Sequence, residues 1–343
     1  MLGSDDTVYV IPSFQRPYAW ENKQIADLCA DIEKAYNASG YHYLSSFHLV
    51  PINKIAVDPL HEFIEDAKKI LSGSDDKILE TKKMTSVKIY AVIDGQQRLT
   101  TLFFLAHLFY KNRGGSRQNL EVALSCGINI PRLIQNPKDD HDFMMSIVDF
   151  IWSPGTSIAT PKTQSQKHMQ SNFNKLQNWC NSNPTSNSAI NFLNSPNFKT
   201  IAIELEASYG LTSFMILNDR GKDLTVLEKF KALLIEFAYD ALRSSSSAQS
   251  ILISQLHRAF GDLYKILDIC IYVNLFSNKP GAADSAIIRL LSCYIRIDQE
   301  ADKTSIWQGA EESYQEFFRK KLAETPITKV SHFCMTRHVM CLG

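Results

Sequence analysis

The chain lacks any apolar run near the roughly 18 consecutive residues that a membrane-crossing helix needs, so membrane insertion is not expected. It also lacks an excess of charge. Thirty-six Lys and Arg stand against 36 Asp and Glu, which leaves no whole-chain field to act as a nucleic-acid glove or a polybasic anchor. Division near residue 115 reveals no hidden asymmetry, with 13 basic and 14 acidic residues before it and 23 and 22 after. Any DNA contact must therefore be a local patch. Cysteines are few and unpaired in number: seven, at positions 29, 126, 180, 270, 293, 334 and 341, at long spacings that fit reduced thiols rather than a disulfide framework. The opening MLGSDD has no basic, then greasy, signal segment, and with the thiols this points to a cytoplasmic protein. What remains is 343 residues at 45% apolar and 10% aromatic, enough for one large core or two smaller ones.

Along the chain, Val8 to Pro12 reads as a short strand leaving into the extended run PSFQRPYAW. From Glu21 to Tyr36 the apolar Ile25, Leu28, Cys29, Ile32 and Tyr36 recur at helical steps. Tyr41 to Pro51 and Val87 to Ile93 read as two more strands, separated by a polar stretch. From Gln96 the segment RLTTLFFLAHLFY carries apolar residues on most faces, so its helix belongs in the middle of a core. Gly114, Gly115 and Ser116 break that pattern and suggest a boundary between a small α/β unit and the rest of the chain. Beyond it helices are expected at 139–152, 164–180, 226–243, 248–276, 282–297 and 304–323, with one strand at Lys199 to Glu206 and polar loops at 181–188 and 244–247.

Three segments carry chemistry. Asp94-Gly95-Gln96-Gln97-Arg98 lies between a buried strand and a buried helix, where first-turn N–H groups have no internal partners and can cradle a phosphate. Arg98 could add a bidentate contact, Gln96 and Gln97 amide donors, and Asp94 a metal ligand or a group that polarises water. The competing reading makes Asp94 an N-cap and Arg98 its ion-pair partner. In Ile11-Pro12-Ser13-Phe14-Gln15-Arg16-Pro17-Tyr18-Ala19-Trp20, prolines flank Gln15 and Arg16, and the aromatics either stack on a planar ring or simply pack in the core. In Leu217-Asn218-Asp219-Arg220-Gly221-Lys222-Asp223-Leu224-Thr225, the spacing of Thr225 to Glu228 is that of a capping box. The crowding of Asn218, Arg220 and Gly221 before it suits a second polar wall of a ligand site, while Lys231 reads as a solvated side chain. His107, mid-helix on an apolar face, reads as a hydrogen-bonded core histidine. His332, Cys334, His338 and Cys341 have a spacing that matches no closed zinc site.

Together IPSFQRPYAW (11–20), IDGQQRLTTL (93–102) and LNDRGKDLT (217–225), with Glu228 and Lys231, resemble the N-terminal domain of GmrSD-type, modification-dependent restriction endonucleases, whose core is similar to the ParB/sulfiredoxin fold. The resemblance spans residues 8 to 240. It implies nucleotide binding and hydrolysis at the Asp-Gly-Gln-Gln-Arg turn, driving restriction of modified phage DNA. It departs from the family at Ser45-Ser46, where relatives usually place a glycine, and in a start close to the first motif, where relatives tend to carry a helical lead-in. Longer relatives add an HNH-type nuclease domain, and the grouping of histidines and asparagine that such a domain needs is not found here.

The expected fold is thus α+β and mostly helical, a small ParB/sulfiredoxin-like unit at 1–115 followed by a helical domain at 116–343. The expected activity is hydrolysis of a nucleoside triphosphate, GTP or ATP, with Mg2+. Asp94, Gln97 and Arg98 are the catalytic candidates, and Asp94 is also the metal ligand. Gln15, Arg16, Gly95, Gln96, Asn218, Arg220 and Gly221 are the candidates for binding. DNA, a separate nuclease subunit and a second copy of the chain are the partners considered. Two other readings stand beside it: a non-hydrolytic nucleotide- or DNA-sensing module, and a ParB-like unit that itself nicks DNA.

Overall fold

The computed structural model describes residues 7–12, 15–37, 42–51, 88–123, 129–135, 138–153, 155–182, 198–205 and 246–273, together with 225, 227, 228, 230, 231 and 234. The long polar stretch after Pro51, the Asn218–Gly221 turn, the helices expected at 282–297 and 304–323, and the His/Cys tail lie outside the described residues. So do Phe14 and residues 183–188 of the loop expected at 181–188, whose first two residues are instead the end of a helix.

The chain begins with strand β1 (Thr7–Ile11), every residue of which is buried, followed by helix α1 (Asn22–Asn37). Strands β2 (His42–Pro51) and β3 (Lys88–Asp94) lead into helix α2 (Gln96–Asn112). A 3-10 turn (Arg117–Leu120) and three short strands come next, β4 (Glu121–Ala123), β5 (Asn129–Pro131) and β6 (Leu133–Gln135). Helices α3 (Lys138–Trp152) and α4 (Gln164–Ser182), strand β7 (Phe198–Glu204) and helix α5 (Ser246–Tyr272) complete the described elements. The architecture is α+β. A five-stranded mixed sheet has the order β6-β1-β3-β2-β7, and β4 and β5 form a separate two-stranded antiparallel sheet. Within the large sheet β1 is parallel to both β3 and β6, β2 is antiparallel to β3, and β7 is parallel to β2.

Alternation explains how β1 can be buried throughout. Tyr9 and Ile11 point to one face, where they join Phe47, Leu49, Val92 and Leu133 under the helices, whereas Val8 and Val10 point to the other, against Val122, Ile130 and Ile134. Helix α2 is the centre of the larger cluster. Leu99, Phe103, Phe104, Leu105, Leu108 and Phe109 are all buried, as its all-round apolar sequence requires. His107 is buried with them and accepts a hydrogen bond on Nδ1 from Trp152 Nε1 at 2.8 Å; burial, then the charge of Arg117, holds it down to about 3. It is a core histidine.

Two compact units are formed, Met1–Ala56 with Leu60–Gly210, and Val57–Pro59 with Leu211–Gly343. The division therefore falls near residue 210 rather than at the glycines near 115. The physical reason is the shape of α2. A helix apolar on most faces cannot be covered by β1 to β3 and α1 alone, and α3 and α4, on the far side of the glycines in sequence, supply Phe143, Met144, Ile147, Met169, Phe173 and Leu176 to the same cluster. Helix α5 begins at Ser246, inside the polar stretch expected to be a loop.

Candidate functional site

Strand β3 ends at Asp94, and helix α2 starts two residues later. The junction is Gly95, with φ +91°, in the left-handed region that side chains disfavour. A Cβ there would also lie 2.6 Å from Phe47 Cδ1 and 3.3 Å from the Ser46 carbonyl oxygen, so glycine is required twice. Gly95, not Asp94, is the N-cap of α2, and no side chain caps the helix. The Gly95 carbonyl accepts from Leu99 N at 2.9 Å, but a helix offers no acceptor to the N–H groups of its first turn. Those groups carry the positive end of the helix dipole at the corner.

The three glutamines expected to touch a ligand each hydrogen-bond backbone groups of the protein itself. Gln15 is buried, and its Nε2 donates to Ile93 O at 2.8 Å and Val92 O at 3.4 Å, closing the end of β3. Gln96 Nε2 donates to Arg16 O at 3.2 Å. Gln97 engages the backbone with both ends of its amide, Nε2 donating to Pro17 O at 3.1 Å and Oε1 accepting from Ala19 N at 2.8 Å. These side chains hold the 15–20 loop on the first turn of α2. Among the described residues they build the corner, and Gln97, at 6% exposure, is a positioning residue in this geometry rather than a group aimed at water.

A second polar layer secures the same loop from α3 and α4. Tyr18 OH shares a hydrogen bond with Thr101 Oγ1 at 2.8 Å and accepts from Asn172 Nδ2 at 3.1 Å; burial pushes its phenol up to about 12. Asn172 Nδ2 also donates to Trp20 O at 2.6 Å, and Tyr18 N donates to Ser165 Oγ, which in turn donates to the buried Asp140 carboxylate at 2.9 Å. Tyr18 and the partly buried Trp20 are therefore packing residues, not a stacking platform for a ring. This layer was not anticipated, because Ser165 and Asn172 each sit in α4, 147 to 154 residues from the loop residues they hold.

What the corner presents outward is charge. The Asp94 side chain keeps 37% of its surface exposed, Arg98 in the first turn of α2 is exposed, and Arg16 on the clamped loop is half-buried. One residue that sequence reasoning missed stands beside Asp94: His48 of β2, buried, with Nδ1 3.4 Å from Asp94 Oδ2. Its only sequence signal was a polar residue between Phe47 and Leu49 in a strand otherwise ready for burial. A helix start with no side-chain cap, two guanidinium groups and a partly exposed carboxylate fit a phosphate accompanied by a divalent cation, the carboxylate being the hard oxygen donor that such a cation takes. Among the described residues no group of three or more His, Cys, Asp or Glu is gathered to hold a metal without such a ligand.

The third motif is reached only at its end. Thr225 and Glu228 form the expected capping box, Thr225 N donating to Glu228 Oε2 at 2.9 Å and Glu228 N to Thr225 Oγ1 at 3.3 Å. Lys231 overturns its reading as a solvated side chain. It is 0% exposed, and burial lowers its ammonium to about 7 against the opposing pull of Glu228. Asn218, Arg220 and Gly221 lie outside the described residues.

Residues 1–235 match the family model described as GmrSD restriction endonuclease, N-terminal domain. No curated protein matches the chain. No described helix is long and apolar enough to cross a membrane.

Proposed function

Since the chain belongs to the family of GmrSD restriction endonuclease N-terminal domains, and so to a restriction system that acts on DNA, we propose that it binds and hydrolyses a nucleoside triphosphate at the Asp94–Gly95 corner. The observation that carries this reading is a helix start with no side-chain cap, opened by a left-handed glycine and flanked by Asp94, Arg98 and Arg16. The first-turn N–H groups of α2 would receive phosphate oxygens, and the two arginines would offset charge on the transferred phosphoryl group. Asp94 would hold Mg2+, which when bound neutralises phosphate charge and orients the anhydride. Hydrolysis adds water across the terminal anhydride to give a diphosphate and inorganic phosphate, and with Gln97 committed to the loop, Asp94 is the polar group left to orient that water. The small α/β unit is read as ParB-like. Nucleotide occupancy would then be coupled to DNA, modified phage DNA being the expected target, with cleavage assigned to a separate nuclease subunit or segment.

One observation favours a second reading. Gln97 was the group best suited to align a water, and its amide is taken at both ends. The chain could hold the nucleotide without turning it over and signal by occupancy alone. Phosphate release from GTP and ATP with Mg2+, measured on the whole chain beside binding of a nonhydrolysable triphosphate, separates the two. Turnover that Asp94→Ala and Arg98→Ala each abolish without a change in melting temperature supports the enzyme, and binding without release supports the sensor. Absence of both rejects the nucleotide reading. Gln97→Leu should behave differently and lower the melting temperature, because it leaves Pro17 O and Ala19 N without their partner.

A further inference from the structure

The pairing of β2 with β3 contains an irregularity at the candidate site. Leu49 faces Val92, Val50 faces Ala91 and Pro51 faces Tyr90, a register that carried one step further would set His48 opposite Ile93. Instead the register shifts between His48 and Leu49, and His48 faces Asp94. A bulge of this kind re-aims side chains beside a site. Here its product is an imidazole nitrogen next to the carboxylate that ends the strand, with residues 46 and 47 of β2 already pressed against Gly95.

The contact is not an ordinary histidine–aspartate hydrogen bond. Nδ1 of His48 has no hydrogen-bond partner, although its side chain is only 8% exposed, and it stands 3.4 Å from Asp94 Oδ2. A buried polar nitrogen left unpaired is unfavourable, and a group that accepts its lone pair would relieve that. Two ligand atoms each ~2.1 Å from one ion and separated as these are would subtend about 110° at it, inside the range of common coordination geometries. The exposed side of Asp94 gives a route in from solvent.

Resting on the nucleotide reading above, we propose that His48 Nδ1 and Asp94 Oδ2 together hold a first-row divalent cation of the Mn2+ class, with phosphate oxygens and water filling its remaining positions. Mg2+, a hard ion that prefers oxygen, would be held by Asp94 without the imidazole, whereas a shell that includes the imidazole favours Mn2+ and its neighbours over Mg2+ at the same carboxylate. A cation beside the positive end of α2 is repelled by the dipole, which makes the Asp94 charge and an accompanying phosphate part of the same assembly.

Mn2+ titrated into the whole chain and followed by electron paramagnetic resonance tests this, with and without a nonhydrolysable triphosphate. The expected result is bound Mn2+ that shows coupling to a 14N nucleus, with both affinity and coupling lost in His48→Ala. The affinity loss should be roughly 10- to 100-fold, the range found for removing groups that touch a metal only through its ligands, or greater. Asp94→Asn should also weaken the ion, while leaving the nitrogen signal on whatever still binds. Mn2+ bound to the wild-type chain without nitrogen coupling, Mn2+ held equally well by His48→Ala, or no Mn2+ bound in either condition would each overturn the inference. The coupling is read on the unmutated chain, so a variant that misfolds does not blur the outcome. Triphosphate binding with Mg2+ is scored separately: its absence rejects the nucleotide reading, whereas a missing nitrogen signal with intact nucleotide binding rejects only the role of His48.

Discussion

Two helix starts in this chain solve the same problem in opposite ways. At Thr225 the N–H groups are met by the protein itself, through a threonine hydroxyl and a glutamate carboxylate that reach back to one another. At Gly95 nothing on the cap residue can reach them, and the polar side chains next in sequence, Gln96 and Gln97, point to a neighbouring loop. A helix start closed by its own side chains has little left to offer an anion, and one opened by glycine keeps its donors. The difference separates a stabilising device from a candidate binding device, although both carry polar residues at motif-like spacing.

The sharpest way to break that contrast is to give the open corner a side chain. Gly95→Val must adopt a left-handed φ that β-branched residues avoid, and its Cβ must displace Phe47 from a contact of 2.6 Å. Strain and overpacking together should lower the stability of the first unit by about 3–6 kcal/mol, measured by urea unfolding followed through tryptophan fluorescence. Gly95→Ala combined with Phe47→Ala removes the clash but not the strain and opens a cavity, so it should recover only part of the loss. If Gly95→Val instead unfolds like the wild type, the corner is not as constrained as its geometry says.

The two units should also differ in how they respond to pH, a smaller effect. In the first, burial lowers His107 from 6.5 to about 3. Between those values the unfolded chain binds the proton and the folded chain does not, so stability is complete above about pH 6.5 and is lost as pH falls toward 3. At pH 5 the share of the loss due to His107 should be about 2 kcal/mol relative to pH 7.5. In the second unit Lys231 is lowered from 10.5 to about 7, and the same rule makes stability rise with pH across that higher window. His107→Gln should reduce the acid slope of the first unit, leaving the part due to His141, which burial lowers to about 4, and should leave the alkaline slope of the second; an unchanged acid slope would move the titration elsewhere.

Much of the frame was legible because periodicity reports burial. The all-round apolar run after Gln96 located the central helix, and the alternation at 199–206 located β7 to within two residues at either end. Strands β4, β5 and β6 were not seen, since three residues are too few to show a period of two. The compact units divide near residue 210 and not at the glycines near 115, since a glycine turn says where a helix stops and not what covers it. At the site, sequence proposed the corner as a ligand site, and the structure shows its glutamines bonded to the protein's own backbone. A buried amide that holds a loop and an amide that holds a ligand are the same residue type at the same position, and only the carbonyls of Arg16 and Pro17 distinguish them. His48 was invisible for a related reason: its approach to Asp94 depends on a register shift between two strands 37 residues apart.

Removing the closed cap is the mildest of these perturbations and the most discriminating. Thr225→Ala deletes a hydroxyl that accepts from Glu228 N and donates to the Glu228 carboxylate, and loss of such a cap typically costs about 1 kcal/mol. Thr225→Ser keeps the oxygen and should restore most of it. Triphosphate binding should be unchanged in both variants, because a helix start whose donors are satisfied by its own side chains has no vacancy for phosphate oxygens to fill. A loss of binding in Thr225→Ala at unchanged stability would mean that the cap and the ligand draw on the same groups, and that the closed start is an open one whenever a nucleotide is present.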